Sequence, residues 1–237
     1  MIKFFRKIRQ KLLSEGKMVK YIKYAIGEIV LVVIGILIAL SINNWNQERI
    51  NEKNIQGKLK LIHQELLEDI YDLEREIKNR SQKHQLISRS LDIIEQESSL
   101  DIHNRQVLDS SFLLYKRMEP LFNNTKSYEV FLSIESNFID AAIYSKLNNY
   151  LDEFNEVNAR IERMAQVISH PDFDILMNTS VKRKSSGEFY YSLKTIQQEH
   201  NLYEIMRHSK QYFNAITGFY SKVLTRAREL DYEIKKN

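Results

Sequence analysis

The sequence predicts an all-α protein: an N-terminal amphipathic helix, one transmembrane helix, and then an elongated antiparallel helical bundle with coiled-coil-like packing. Three observations carry that expectation. Glycine and proline number only 6 and 2 in 237 residues, so turns are few and helices long. One apolar run near the N-terminus is long enough to cross a bilayer. Beyond it, apolar residues recur at helical spacing in three long stripes, and no alternating strand pattern accompanies them.

The apolar run occupies 24–42 and reads YAIGEIVLVVIGILIALSI, with Glu28 as its one charge. As a helix it extends about 28 Å, close to the thickness of a hydrocarbon core. Tyr21 and Tyr24 at one end and Trp45 at the other suit an aromatic belt. Eight Lys/Arg precede the run, and only Arg49 and Lys53 follow it closely. The positive-inside bias then predicts a cytoplasmic segment over 1–23, a transmembrane helix over 24–45 and an extracytoplasmic domain over 46–237. The alternatives are a signal peptide cleaved near Ala39-Leu40-Ser41 and a type IV pilin start. The long basic leader and Glu28 oppose the first, and Lys23-Tyr24 stands where a pilin requires glycine.

Within the run, Gly27, Leu31, Gly35 and Ala39 recur every four residues, and Gly35-x-x-x-Ala39 is a small-xxx-small pair that lets a second helix approach closely. Glu28 lies beside this series. An ionisable group at membrane depth is expected to meet a basic or polar group on a partner helix, or else to snorkel toward Lys20 and Lys23. These five residues are the expected partner face, for a homo-oligomer or another membrane protein. Ahead of the run, MIKFFRKIRQKLL places Lys3, Arg6, Lys7, Arg9 and Lys11 on one half of a helical wheel and apolar residues on the other. A basic amphipathic helix beside a bilayer is expected to lie among anionic lipid headgroups.

The stretches MIKFFRKIRQKLL, KYAIGEIVLVVIGILIAL and INNWN resemble the N-terminus of a family of short single-pass proteins from Gram-negative bacteria with no known function. The likeness is specific over residues 1–46. Further on, Ser127-Tyr128-Glu129 is similar to a Thr/Ser-Tyr-Glu segment of that family, while Ser41 departs from it where Gln is expected. The resemblance implies a bacterial inner-membrane location with the C-terminal domain in the periplasm, and it implies no activity.

Past the membrane run, Leu59, Ile62, Leu66, Ile70, Leu73 and Ile77 form a heptad seam with one stutter. Ile143, Leu147, Tyr150, Phe154, Val157, Ile161, Met164 and Ile168 keep a strict alternation of four and three, with Asp140 as the expected N-cap. Phe213, Ile216, Tyr220, Val223, Ala227, Leu230 and Ile234 repeat it near the C-terminus. Shorter helices are expected over 102–118, ended by Pro120, and over 126–134, capped by Asn124 or Thr125. Pro171 is expected to end the middle long helix, and 177–187 (MNTSVKRKSSG) to be a loop.

The +4 net charge hides a division: residues 1–45 carry eight Lys/Arg against two Glu, while 46–237 carry 27 basic against 29 acidic side chains. The predicted folded part is near neutral, so nucleic acid is excluded as an expected partner. No cysteine is present, which excludes disulfides and thiolate metal sites. No phosphate loop, nucleophile elbow or zinc-protease motif occurs, and no enzymatic activity or cofactor is expected. His200, Glu204 and His208, four residues apart, form the one metal-like pattern; they turn away from the apolar face, and an exposed Glu–His pairing is expected instead. Two function classes remain: a membrane-anchored interaction or scaffold protein, and a ligand-sensing periplasmic ectodomain. No second membrane helix or output domain occurs before Asn237, so in the second case the signal is expected to pass through 24–42 or a partner.

Overall fold

The structure is a computed structural model. It describes residues 18–117, 119–121, 125–133 and 139–236. The basic segment 1–13, with Lys3, Arg6, Lys7, Arg9 and Lys11, lies outside them, as does Asn124. Helix dominates the fold, at 84% against 2% strand. The chain forms two compact units, Met1–Gly57 and Lys58–Asn237.

The first helix, α1 (Met18–Gln96), is 79 residues long and enters both units. No proline falls within it, since the two prolines are Pro120 and Pro171, so every interior amide is free to bond four residues back. In the first unit its apolar side chains from Ile26 to Ile42 are turned outward: Ile29, Leu31 and Ile42 each keep about three-fifths of their surface exposed, at 63%, 61% and 60%. An apolar belt of this length is rare on the surface of soluble monomers.

The second unit holds the rest of α1, then α2 (Ile102–Leu114), α3 (Lys126–Leu132), α4 (Ala141–Ile168), a 3₁₀ turn (Pro171–Phe173), α5 (Ile175–Asn178), strands β1 (Lys182–Arg183) and β2 (Phe189–Tyr190), α6 (Leu193–Gln197) and α7 (His200–Lys236). Helix starts follow cap chemistry. Asp140 accepts from the amides of Ala142 and Ile143, and Asp101, Asp174 and Ser192 do the same for α2, α5 and α6. Thr125 does not cap α3: it has helical torsions, and its hydroxyl donates to Glu129 instead. Helix α2 stops at Leu114, short of Pro120, and α4 stops at Ile168 with Pro171 opening the 3₁₀ turn.

Helix α7 runs against both α1 and α4. Its contacts with α1 descend as α1 ascends: Asp231 meets His63, Arg228 meets Glu74, and Phe213 lies under Lys83. Lys146 of α4 reaches Glu229, and Arg160 stacks over Phe219. Every residue of the expected α7 stripe is buried, and so is every residue of the α4 stripe except half-exposed Met164.

The α1 stripe differs from its expected course. Ile70 and Ile77 are only half-buried, whereas Asp69 is 8% exposed and Arg80 4%. The seam has no stutter. It continues through Leu59, Ile62, Leu66, Asp69, Leu73, Glu76, Arg80, Lys83, Ile87, Ser90 and Ile94, with strict spacing of three and four. Asp69, Arg80 and Ser90 sit buried on this seam and Glu76 and Lys83 half-buried, and a search for apolar side chains alone slips to the neighbouring isoleucines.

The linker after α2 is gripped by its backbone. Arg80 donates from Nη1 to the carbonyl of Arg117 (3.0 Å) and from Nη2 to that of Glu119 (2.6 Å). The amide of Leu121 donates to the Tyr220 hydroxyl, and Asn158 donates to the Leu121 carbonyl. Three helices thus satisfy the peptide groups of a segment that lacks secondary structure of its own.

The segment expected as a loop, 177–187, holds the first strand and the turn of a small hairpin whose second strand lies just beyond it. Lys182 pairs with Tyr190 and Arg183 with Phe189. Gly187 has φ +91°, and its amide donates to the Lys184 carbonyl. Glycine tolerates that torsion without strain. Two residues per strand leave too little alternation to notice in a sequence. The hairpin is instead anchored by Phe189 and Tyr191, both edge-on to Phe112.

Candidate functional site

Two regions hold the candidate side chains: the apolar part of α1, and the polar stretch of its seam. In the first, Gly27, Leu31, Gly35 and Ala39 are exposed and Glu28 is half-exposed. A Cβ built at Gly27 or Gly35 would meet nothing within 4 Å. At 100° per residue, Glu28 comes within about 20° of Gly35 and Ala39, while Gly27 lies about 100° away. The helix therefore groups Glu28 with Gly35 and Ala39, and Gly27 departs from that face. Ala25, Glu28, Ile29, Val32 and Val33 line a shallow depression there.

In the second region, Asp69 Oδ2 accepts hydrogen bonds from two phenols, Tyr128 of α3 at 2.6 Å and Tyr150 of α4 at 2.7 Å. Both tyrosines are 1% exposed, and their rings meet nearly perpendicular, at 77°. One turn earlier on α1, Glu65 Oε1 accepts from Ser127 Oγ at 2.8 Å. Its other oxygen, Oε2, is buried without a partner. Burial lifts the Asp69 carboxyl above the ordinary carboxylate range even though the two phenols pull it down. Burial and the nearby Asp69 charge push the Tyr128 phenol far above its usual value. Ser127, Tyr128 and Glu129, singled out as a segment in the sequence, are thus three side chains that fasten α3: to Glu65, to Asp69 and to Thr125. What sequence reasoning missed was the acceptor shared by Tyr128 and Tyr150, Asp69. Its signal was a carboxylate at a strict heptad position.

The His200–Glu204–His208 row does not assemble. Glu204 is taken by Arg207, at 2.6 Å from Nη2 and 3.1 Å from Nε, which holds its carboxyl below the ordinary range. His208 stands at 4.0 Å from it and places its ring against Phe173 and Tyr212. The expected Glu–His pairing is thus secondary to a Glu–Arg one. Among the described residues no group of three or more acidic or histidine side chains is placed to hold a metal ion.

A family model matches residues 28–151, more than half of the chain. The chain belongs to DUF6090, a family of unknown function. The DUF6090 span starts at Glu28 and ends just past Tyr150, so it contains the Gly35–Ala39 pair and all of the Asp69 network. The N-terminal stretch that carries the family likeness in the sequence overlaps it only over 28–46, whereas Ser127–Glu129 lies wholly inside. No curated protein and no solved structure matches the chain.

Proposed function

We propose that this DUF6090 protein is a membrane-anchored helical scaffold of the bacterial cell envelope, without catalytic activity of its own. In this reading 24–42 spans the inner membrane, 1–23 lies in the cytoplasm against anionic lipid, and the remainder is an elongated antiparallel bundle in the periplasm. The observation that supports it most is the outward-turned apolar belt of α1: among the described residues one helix is long and apolar enough to cross a membrane, and none of its apolar window is buried. Lipid covers such a surface, and the positive charge upstream orients it. A reporter active only outside the cytoplasm should work when fused after Asn237 and fail when fused after Lys20. Cytoplasmic reporter activity from the Asn237 fusion would overturn the topology.

The scaffold reading needs a partner for the helix, and the Glu28–Gly35–Ala39 face supplies the chemistry for one. A Cβ added at Gly35 meets nothing within 4 Å, so a loss of association on replacing Gly35 with Ile reports on a second helix. In a membrane dimerisation assay, Gly35→Ile and Glu28→Leu should each lower the signal severalfold, and Glu28→Gln should separate the role of charge from that of shape. Unchanged signals in all three would remove this face from the reading.

A further inference from the structure

Clefts elsewhere in the second unit carry carboxylates on their walls: Glu76 and Glu119 in one, Glu95 and Glu199 in another, Asp172 and Glu204 in a third. The groove between α1 and α3 differs. Its volume is about 330 Å³, at the small end of the range for small-molecule sites. Ile62 and Phe131, 2% and 1% exposed, form its floor. Leu61 of α1 and Val130 of α3 stand on its two walls and keep 51% and 48% of their surface open. Each wall also carries one exposed lysine a helical turn earlier, Lys58 on α1 and Lys126 on α3.

We propose that this groove binds a fatty acid, an unbranched alkyl chain ending in a carboxylate. Two observations select that occupant. The lining is apolar apart from Ser127 and the two lysines, and the Ser127 hydroxyl donates to Glu65 Oε1. It therefore lacks the row of donors and acceptors that an extended peptide uses, and it suits a chain that needs only apolar contact. Charge then selects the end of the chain. Among the described residues the lining has two cations and no carboxylate. Glu129 of α3 accepts from Thr125, and the second Glu65 oxygen is buried. Lysine stems lie along apolar surface and carry the ammonium to its edge, where the ligand carboxylate meets it in a charge-assisted hydrogen bond. The hydrogen bonds of Ser127 and Tyr128 hold α3 on α1, so the groove is formed before a ligand arrives. No residue of 24–42 takes part, and the site stands or falls apart from the scaffold reading.

The test is photolabelling of the full chain in phosphatidylcholine nanodiscs with a diazirine-bearing decanoate, and with the matching decanol as a neutral arm. Mass spectrometry should place saturable label on 58–62 and 126–131, half-maximal below about 1 mM and displaced by unlabelled decanoate. Leu61→Gln/Val130→Gln alters two half-exposed positions and should leave helical circular dichroism unchanged. It should lower labelling by both probes about fivefold or more. Lys58→Glu/Lys126→Glu should lower labelling by the acid to a similar degree and spare the alcohol. Label confined to 24–42, or undiminished labelling of 58–62 and 126–131 in the Gln variant, would overturn the groove as a site. Loss of acid and alcohol alike in the Glu variant, or of neither, would overturn the fatty acid as its occupant.

Discussion

Asp69→Ala should lower the unfolding free energy of the helical unit by about 3 kcal/mol or more, because it removes the acceptor that two buried phenols share. Tyr128 and Tyr150 both donate to the same carboxylate oxygen, and neither is open to water. Tyr128→Phe removes one bond and one donor together, so its cost should be smaller, about 1 kcal/mol. Asp69→Asn keeps an acceptor in place and should also be mild at neutral pH. The isosteric pair carries the pH test. The folded state holds the Asp69 carboxyl above its ordinary 3.8, so between 3.8 and that raised value the folded chain binds more protons than the unfolded one. Stability from this group therefore rises as pH falls through the window and is flat below it. Urea melts of wild type and Asp69→Asn, followed by helical circular dichroism from pH 7 to 4, should show the wild type gaining on the variant toward acid. The opposite trend would mean that the phenols outweigh burial.

The second large effect belongs to Arg80. Arg80→Ala should cost about 3 kcal/mol, since it leaves the Glu119 carbonyl without its donor and Glu76 without its ion pair. Arg80→Lys should recover only part of this, because one ammonium cannot reproduce a planar fork that reaches Glu76, Arg117 and Glu119 together. Denaturant melts check the order wild type, Lys, Ala. Equal stability of the Lys variant and wild type would mean that charge alone suffices. Asp174 gives a contrasting acid response. Burial acts to raise its carboxyl, but the Lys116 ammonium and the amides of Leu176 and Met177 more than offset this and hold it below the ordinary range. Its contribution is present at neutral pH and lost as pH falls through the depressed value.

These residues show what the sequence discloses and what it hides. The α4 stripe and its Asp140 cap are legible because each is a local rule: a spacing, and a short polar side chain next to free amides. The α7 stripe is legible for the same reason. Asp69 and Arg80 are not, because an isolated carboxylate or guanidinium on a helix is ordinarily solvated. Only the partners that arrive from α3, α4 and the linker, some 40 to 80 residues later, turn them inward. The stutter inferred at Ile70 and Ile77 comes from reading burial as a property of apolar residues alone. On the apolar stretch of α1 the composition of 24–42 was plain, yet the grouping of Glu28 with Gly35 and Ala39 emerges only when angles rather than intervals of four are compared. The hairpin at 182–190 was hidden because its anchor is two aromatic rings meeting a third on α2.

The grip on the linker after α2 has a consequence for which substitutions this chain tolerates. Arg80, Asn158 and Tyr220 recognise carbonyls and an amide, groups that every residue presents in the same way, save that proline lacks the amide. The side chains of residues 117, 119 and 121 are therefore free to drift with little effect on this anchorage, except that position 121 must not become proline. The constraint falls on three helical residues far apart in the chain. In this chain, substitutions at 117, 119 and 121 would then leave the linker's conformation unchanged.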